Sequence, residues 1–414
     1  MAEIWLCNPF DNLVEEGARP QRYALLAAEL VRRGHHVVWW SSDFNHLLKT
    51  RRSRSDGTAL PSAYTSADGV EMRLLPTCPY RSNVGLKRIR SHRAFARAWS
   101  AEGLRSVESG SLPVPALIVA SLPPLGTHAV ARSFRKRWGS VIVADIQDAW
   151  PENFEGLLPL PSPLRHLAWK IIFASSRRAA RDAYCLSDGL SAVGEKYLSL
   201  AKAYGSKLPG HLCLLGIDEA VPSVEAHPDS RPLRFVYAGN MGSSVYDIDT
   251  LLKAMARLRA RGVPVELELA GAGPGERRLR ALAGDSAAIH FHGFLDKASL
   301  TGLLRSCDVG VIPMFDRSLV AIPNKVADYA SAGLAVLNSL TGETARLLER
   351  YGAGCPYRAG DVESCASAIK RLADDREALE SMRGKALRMA NEIFLARKIY
   401  PCFVAFLEER LARR

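Results

Sequence analysis

Residues 233–270 read LRFVYAGNMGSSVYDIDTLLKAMARLRARGVPVELELA, and this stretch decides the fold. Its two ends, Leu233–Ala238 and Val265–Ala270, are short apolar runs of the length of buried strands. Between them, apolar residues recur at helical spacing from Ile248 to Leu258, and the pattern stops at Gly262, a common helix end signal. A strand, a helix and a second strand in this order predict a parallel βαβ unit.

The same alternation continues on both sides of this stretch. We predict further strands at residues 4–7, 37–41, 116–121, 141–145, 289–292, 309–313 and 335–338. The proline-rich residues 209–232 separate the two series and have the composition of a linker. The sequence therefore predicts an α/β protein with two doubly wound Rossmann-like domains, residues 1–215 and 216–390. We predict that a C-terminal helix, residues 391–414, returns toward the first domain.

Composition excludes several classes of protein. With 48% apolar and 24% charged residues, the chain has the composition of an ordinary soluble globular protein. The eight cysteines form no C-x-x-C pair, which argues against a zinc site or a disulfide framework, so we expect reduced core residues. We see no secretory signal, and the most apolar span, residues 114–130, is too short to cross a bilayer. We therefore expect a cytoplasmic protein.

The distribution of charged and apolar residues suggests which parts of the chain could contact a partner. The net charge is +12, and residues 49–97 hold 11 basic but only three acidic side chains. Such a stretch is either a solvated Arg-rich surface or a face for an anionic partner, of which an anionic membrane is one. Residues 157–181 are apolar and basic, which suits either a membrane-surface helix or a core-facing one. No RNA-binding motif is present, so we expect no nucleic acid.

The loops after the predicted strands of the second half are rich in glycine. In a parallel sheet these loops meet at one edge, which is where α/β proteins bind ligands. Glycines there let a ligand approach the backbone, although each is also an ordinary turn residue. Neither G-x-G-x-x-G nor the P-loop pattern occurs. The candidates for phosphate or base contacts are Asn240, Gly242, Ser243, Gly271, Gly293 and Phe294.

The most informative segment is PNKVADYASAG, residues 323–333. Pro323 predicts a helix start, and a helix N-terminus attracts anions, which Lys325 in the first turn would reinforce. Asp328 follows one turn later, an axial offset of about 4.5 Å that matches the step from a diphosphate to a ribose. An ordinary surface salt bridge between Lys325 and Asp328 explains the spacing equally well.

Five segments in this order resemble the C-terminal domain of GT-B glycosyltransferases of family 4, in the branch of bacterial O-antigen and exopolysaccharide transferases. They are YAGNMG (237–242), LELAGAGPG (267–275), IHFHGF (289–294), CDVGVIPMF (307–315) and PNKVADYASAGLAVLNS (323–339). In the first half, ELVRRGHHVVWWSS (29–42) and VIVADIQDAWPENF (141–154) resemble that branch's N-terminal domain, and CLLGID (213–218) resembles the segment before the linker. The resemblance covers nearly the whole chain.

The resemblance implies a retaining, metal-independent transfer of a sugar from a nucleoside diphosphate sugar, with a UDP-sugar favoured, in a cleft between the two domains. The implied acceptor is a glycan, linked to polyprenyl diphosphate. No cofactor beyond the donor is implied. In the family's pattern Asp328 is the ribose ligand, Asn324 and Lys325 belong to the motif at the diphosphate, and Gly293 and Phe294 form the loop at the base.

The sequence also departs from the family. Val320 stands where the first Glu of the Glu-x7-Glu motif would face the donor sugar, and the nearest carboxylate is Asp316, our substitute candidate. The common Arg and Lys after the first C-terminal strand are absent, and Asn240 and Tyr246 lie near their positions.

The first half contributes further candidates. Asp148, after a strand, is predicted to face the acceptor or the sugar, unless it only caps its own loop. Gly17 lies in the first βα loop, which approaches the diphosphate in this fold, and Arg19 or Arg22 could bind an acceptor phosphate. Because Val320 replaces the sugar-facing Glu, a sugar-nucleotide epimerase stays open as an alternative. A non-catalytic nucleotide-sugar binder is a separate alternative.

Overall fold

The structure is a computed structural model that describes residues 1–17, 19–83, 85–224, 227–228, 230–242 and 245–413, without the side chain of Asp316. It divides into two compact units. The first unit comprises residues 1–216 and 397–414, and the second comprises residues 217–396. Each unit is an α/β layer structure built on one largely parallel sheet.

Among the residues that the structure describes, the first unit begins with eight strands and six α-helices. Its strands are β1 (Glu3–Cys7), β2 (His36–Ser42), β3 (Ala63–Thr65), β4 (Glu71–Leu75), β5 (Leu117–Leu122), β6 (Val141–Ile146), β7 (Gly189–Ala192) and β8 (Gly210–Leu212). Its helices are α1 (Arg22–Arg32), α2 (Leu86–Glu108), α3 (Gly126–Trp138), α4 (Ser162–Ile172), α5 (Ala174–Cys185) and α6 (Glu195–Ala203). Two 3-10 turns, Val14–Glu16 and Glu152–Leu157, precede α1 and α4.

The second unit follows the same plan. Its strands are β9 (Leu233–Ala238), β10 (Val265–Ala270), β11 (Ile289–Gly293), β12 (Val309–Ile312), β13 (Ala335–Asn338) and β14 (Gly354–Pro356). Its helices are α7 (Ile248–Ala260), α8 (Glu276–Ala283), α9 (Lys297–Arg305), α10 (Asn324–Ser331), α11 (Gly342–Tyr351), α12 (Val362–Asp374) and α13 (Arg376–Met389). A 3-10 turn, Asp316–Ser318, lies before α10. The last helix, α14 (Ala396–Ala412), carries the chain into the first unit.

The strand orders are those of doubly wound sheets. The first sheet runs β3-β4-β2-β1-β5-β6-β7-β8, and only β3 pairs antiparallel. The second runs β11-β10-β9-β12-β13-β14, and all its pairs are parallel. Central strands are buried along nearly their whole length, because helices cover a parallel sheet on its faces. In both sheets the order reverses beside the first strand, which places the ligand-binding edge at the carboxyl ends of the strands around β1 and β9.

The predicted fold class is confirmed, and β9, β10 and β13 have the predicted bounds. The strands that the prediction lacked include β3, β8 and β14, which are three residues long and not fully buried, so they carry no apolar run. The predicted continuous helix from residue 391 is wrong at its start, because a π turn, Ala390–Phe394, and an extended Leu395 precede α14.

Two further findings concern surface chemistry. Five of the eight cysteines are buried, but Cys78 and Cys402 are exposed, so the expectation of eight core cysteines is wrong for these two. All eight thiols are free. Within the described ranges, no helix is both long enough and apolar enough to span a bilayer.

Candidate functional site

Three loops at the carboxyl edge of the second sheet are joined by backbone hydrogen bonds. The Gly239 N–H donates to the Ala270 carbonyl (2.9 Å), and the Met241 N–H donates to the Ala272 carbonyl (3.1 Å). The Gly271 N–H donates to the Gly293 carbonyl (2.6 Å). The loops after β9, β10 and β11 therefore form one continuous backbone surface, which brings together Gly239, Gly271 and Gly293.

Packing between these loops explains their glycines. A Cβ atom on Gly271 would lie 2.0 Å from the Gly239 carbonyl oxygen, and one on Gly273 would lie 2.0 Å from the Met241 carbonyl oxygen. A Cβ on Gly242 would lie 2.2 Å from the Gly275 nitrogen. The Gly271 N–H already bonds to the Gly293 carbonyl, so the predicted contact of Gly271 with a phosphate or base, which stays a prediction, would have to use another part of its backbone. Loop packing, rather than ligand approach, requires glycine at position 271.

Lys325 reaches this loop surface from the first turn of α10. Its ammonium nitrogen lies 4.8 Å from the centroid of the Tyr246 ring and 5.2 Å from that of Tyr237. Gly239 leaves room for it, since a Cβ there would lie 2.6 Å from Lys325 Nζ. The two aromatic faces hold a cation by attraction to their π electrons.

Lys325 forms no ion pair with any carboxylate of the described chain. The alternative explanation of its spacing, an ordinary surface salt bridge to Asp328, is therefore not what the structure contains. A cation held between rings without a carboxylate partner is available to a phosphate.

Tyr246 is placed by a short pairing of loops. The segment around Tyr246 lies antiparallel to the segment around Met314. The Asp247 N–H donates to the Pro313 carbonyl (2.7 Å), and the Phe315 N–H donates to the Val245 carbonyl (3.0 Å). The sequence analysis placed Tyr246 near the position where the family has a basic residue that this chain lacks. In the structure, the Tyr246 ring contacts the ammonium group of Lys325, which comes from α10.

Tyr329 fixes α10 against the sheet, and the sequence analysis did not single it out. Its hydroxyl accepts from the Ala238 N–H (3.0 Å) and donates to the Val311 carbonyl (3.3 Å). Its ring packs on Gly310, where a Cβ would lie 2.2 Å from the ring. A glycine inside a strand is a sign of such close approach, and Gly310 was the available signal.

The other predicted residues of this unit lie around the same edge. Asn324 is exposed at the start of α10, and Asp328 is partly exposed one turn later. Asn240 is exposed, and its carbonyl accepts from the Tyr237 hydroxyl (2.7 Å). Phe294 follows Gly293 at the end of β11 and is 62% exposed.

Two predicted residues are only partly covered by the structure. Ser243 lies outside the described residues, and so does the side chain of Asp316, whose backbone belongs to the 3-10 turn before α10. Just after this turn, Leu319 has φ of 53°, which is rare for a leucine. This strained residue directly precedes Val320, where the family's sugar-facing Glu is missing.

In the first unit, Asp148 follows β6 and is bonded locally. Its carboxylate accepts from the Ala149 N–H (2.9 Å) and from the side-chain amide of Asn153. Burial raises the pKa of Asp148, although the Asn153 bond and the nearby Arg88 lower it. Asp148 thus caps its own loop, and its raised pKa also fits a group that exchanges a proton.

Gly17 is exposed in its loop, whereas Arg22 is buried. Gly17 ends the first 3-10 turn with φ of 71°, and its N–H donates to the Val14 carbonyl (3.0 Å). Arg22 is 1% exposed and donates to both carboxylate oxygens of Asp145 (2.9 and 2.6 Å). The hypothesis that Arg22 binds an acceptor phosphate is therefore wrong. Arg19, the other candidate, donates to the Gly216 carbonyl (3.5 Å).

A pocket lies at the carboxyl ends of β1, β2 and β4 in the first unit, and the sequence analysis did not predict it. Its lining is mainly aromatic, from Phe10, Phe44, His46, Tyr80, His92 and Phe95, with Pro9, Ser42, Thr77 and Ser91 between them. We call it the aromatic pocket. The Tyr80 hydroxyl and His46 Nδ1 are hydrogen-bonded (2.5 Å). Burial lowers the pKa of His46 to about 2 and that of His92 to about 3, so both rings are neutral near pH 7.

One group of side chains has metal-ligand chemistry. Ligand atoms of Glu266, Glu268 and His290 lie within 4.8 Å of one another. They sit within β10 and β11 rather than in the loops at the carboxyl edge, and Glu268 already bonds to Arg234 and to His292 Nε2 (2.6 Å). Glu268, which is buried, is therefore already paired with basic side chains of the same sheet. The expected independence from metal stays a prediction.

Comparisons with known structures define the class of the fold. The chain aligns over its full length with a sucrose-phosphate synthase from Thermosynechococcus elongatus (TM-score 0.75, 15% identity, 100% of each chain). It also aligns with Anabaena HepE solved with UDP-glucose (0.67, 13%, 99% and 100%) and with WaaG, a glycosyltransferase involved in lipopolysaccharide biosynthesis (0.61, 12%, 96% and 98%). At these identities the likeness concerns the fold alone, and that fold is GT-B.

Sequence comparison finds a family match within the second unit. Residues 232–375 match the family described as glycosyl transferases group 1. A segment of 142 residues is 25% identical to a putative colanic acid biosynthesis glycosyltransferase, WcaL, of Salmonella typhimurium. This match covers 33% of the present chain and about a third (35%) of the length of that relative.

Proposed function

We propose that the protein is a retaining, metal-independent glycosyltransferase that moves a hexosyl group from a nucleoside diphosphate sugar, with UDP-sugar favoured, to a glycan acceptor. We further propose that the acceptor is lipid-linked and that the product belongs to an O-antigen or exopolysaccharide. The likeness of the matched family segment to a colanic acid transferase supports the polysaccharide assignment. The similar fold of HepE, solved with UDP-glucose, supports UDP as the nucleotide.

One observation carries the proposal. Lys325 presents an ammonium group beside Gly239, held over Tyr237 and Tyr246, at the N-terminus of a helix on the ligand-binding edge of the sheet. Helix N-termini and charge-assisted donors both favour phosphate oxygens. The family match covers this same region.

The proposed reaction breaks the bond between the anomeric carbon and the β-phosphate oxygen and forms a bond from that carbon to an acceptor hydroxyl oxygen. The hydroxyl proton leaves to a base, and the nucleoside diphosphate departs with the bonding electrons. Charge develops on the leaving diphosphate, so a fixed cation there lowers the barrier. Lys325 takes this role, and positioning of the two substrates supplies much of the remaining rate.

The remaining roles come from the family pattern and from the positions where the chain departs from it. Asp328 accepts hydrogen bonds from the ribose hydroxyls, and Gly293 with Phe294 contacts the base. Asp148 faces the acceptor or the sugar, and Asp316 takes the place of the carboxylate missing at position 320. Backbone and amide contacts to the donor come from Gly17, Asn240, Gly242, Ser243 and Asn324.

A nucleotide panel tests the donor site. Thermal unfolding is followed with UDP, GDP, ADP and TDP, each at high concentration. A nucleotide at 100 times its dissociation constant stabilises the protein by about 2.7 kcal/mol, which moves the midpoint by a few degrees. Lys325→Met and Asp328→Ala should each weaken the bound nucleotide roughly tenfold or more, because each removes a hydrogen bond to a charged group.

Lys297→Met is the matched control, because this lysine is exposed on α9, where it only approaches Asp218 (3.6 Å). It should leave nucleotide affinity unchanged. Absence of a shift with all four nucleotides would rule out the proposed function. If one nucleotide binds, incubation of its sugar derivatives with the protein alone shows whether the sugar is epimerised, and full turnover in EDTA with an acceptor tests independence from metal.

We extend the proposal to a peripheral contact with an anionic membrane on its cytoplasmic face. Six of the 16 exposed large apolar side chains of the described chain fall within 16 residues: Leu157, Leu160, Leu164, Leu167, Ile171 and Ile172. Only Trp169 of this stretch is buried, so the alternative of a core-facing helix is wrong for α4. Residues 157–181 hold five Arg or Lys and no acidic residue, which suits an anionic lipid surface.

Vesicle co-sedimentation tests this contact. The protein should bind vesicles that contain phosphatidylglycerol, and the double variant Leu167→Glu with Ile171→Glu should lose at least tenfold in affinity, since each side chain gives up burial worth about 1.5–3 kcal/mol. Leu282→Glu, at another exposed leucine on α8, is the control. Equal binding by the double variant and the control would exclude α4 as the docking face.

A further inference from the structure

The basic stretch of the first unit separates into three groups. Three arginines are neutralised by carboxylates: Arg51 by Asp43, Arg52 by Glu16 and Arg73 by Glu71. Six others are exposed on the surface: Arg54, Arg81, Lys87, Arg90, Arg93 and Arg97. The remaining two, Lys49 and Arg88, are partly buried, and neither forms an ion pair with a carboxylate of the described residues.

Lys49 and Arg88 meet at one residue beside the aromatic pocket. Lys49 Nζ donates to the Asn83 side-chain carbonyl (2.5 Å), and Arg88 Nη1 donates to the Asn83 backbone carbonyl (2.7 Å). Lys49 Nζ also lies 4.9 Å from the centroid of the Tyr80 ring, which lines the pocket. Burial, with Arg88 nearby, lowers the pKa of Lys49 to about 8. The cationic groups of Lys49 and Arg88 therefore lie close together, and neither is paired with a carboxylate of the described residues.

Arg88 is held as a rigid donor. Its guanidinium lies over the rings of Phe10 (5.6 Å) and Trp150 (5.1 Å), while its Nε is buried and has no hydrogen-bond partner among the described residues. His92, which lines the pocket and packs on the same two rings, is 9% exposed, and its Nε2 also lacks a partner there. Buried polar groups are normally satisfied by protein, water or ligand, so each of these two atoms can bond to one further partner beside the pocket.

The aromatic pocket lies where a substrate site is expected, but its cavity of about 10 Å³ has room for no more than about one water, so a phosphate would lie beside it, at Lys49 and Arg88. Phe10 follows β1, His46 follows β2 and Tyr80 follows β4, so the lining comes from the carboxyl ends of three neighbouring parallel strands. This edge is where doubly wound sheets bind their ligands. We propose that Lys49 and Arg88 form an oxyanion site at the aromatic pocket that binds the phosphate or diphosphate ester of the acceptor. The inference rests on the proposed function, in which the acceptor is lipid-linked.

Calorimetric titration of the full chain with geranyl diphosphate tests the site, with UDP saturating so that the donor site is filled. Arg88→Met and Lys49→Met should each weaken geranyl diphosphate at least tenfold, since each loses a charge-assisted contact. Arg97→Met is the matched control, because it removes one charge from an exposed position of the same helix. It should change the affinity less than twofold.

The outcomes separate this inference from the proposed function. The inference is overturned if the wild-type chain does not bind geranyl diphosphate, if Arg88→Met and Lys49→Met bind it normally, or if Arg97→Met weakens it as much as they do. UDP binding by Arg88→Met and Lys49→Met, measured as a thermal shift, reports that both variants are folded. A failure of UDP to bind the wild-type chain concerns the proposed function instead.

Discussion

Replacing Arg22 by Met should lower the free energy of unfolding of the first unit by about 3–5 kcal/mol. Arg22 and Asp145 are both essentially inaccessible, and Arg22 donates to both oxygens of Asp145, to Ser191 Oγ (2.7 Å) and to the Cys213 carbonyl (2.6 Å). Without the guanidinium, Asp145 is a buried charge with only neutral donors around it. In a unit of this size the midpoint of thermal unfolding should fall by roughly 6–20 °C.

Arg32→Met is the matched control on the same helix. Its side chain is 65% exposed and pairs with Glu29, and a surface ion pair of this kind contributes little to stability. The double variant Arg22→Met with Asp145→Leu should recover part of the loss, because an apolar pair removes the uncompensated charge. Equal midpoints for Arg22→Met and Arg32→Met would show that the buried pair does not hold the first unit together.

Replacing Gly271 by Ala should cost the second unit about 3 kcal/mol or more and should weaken nucleotide binding. The added Cβ would lie 2.0 Å from the Gly239 carbonyl oxygen, so the loops after β9 and β10 must separate. Position 271 also has φ of 124°, which side chains rarely adopt. Gly239 packs against Lys325, so separation of these loops displaces the surface on which the lysine is held.

Thermal unfolding and UDP titration of the same samples measure both effects. Gly302→Ala provides the control, because this glycine lies within α9 with no atom near the position of a Cβ. Alanine there should leave nucleotide affinity unchanged and raise helix stability by up to about 1 kcal/mol. If Gly271→Ala kept full stability but lost the nucleotide, direct ligand approach rather than loop packing would explain the glycine.

Some features of the candidate donor site could be predicted from local sequence patterns. Pro323 and the apolar spacing after it predicted a helix start, and α10 begins at Asn324 with Pro323 as its N-cap. The position of Lys325 in the first turn follows from that start alone. The aromatic rings that contact Lys325 could not be predicted in this way. Tyr237 and Tyr246 come from a strand and a loop about 80 residues earlier, and only sheet packing brings them to the lysine.

In the first unit, the local sequence led to a wrong prediction for Arg22. Arg22 had the features of a surface anion ligand, since it lies near a loop in a basic half of the chain. Its burial depends on Asp145 and Ser191, which are more than 120 residues away and reach it through the strand order of the sheet. The aromatic pocket was missed for the same reason, because its lining comes from four separate segments.

By itself, the sequence determined the two parallel α/β halves, the start of α10 and the resemblance to family 4, because strand and helix periodicity and motif order are local properties of the chain. Only the tertiary structure decided which cations are neutralised and which are held ready for an anion. Arg22 is paired and buried, whereas Lys325, Lys49 and Arg88 lie beside aromatic rings without a described carboxylate partner. The reason is physical: the state of a charge depends on the groups that folding places within a few ångströms of it.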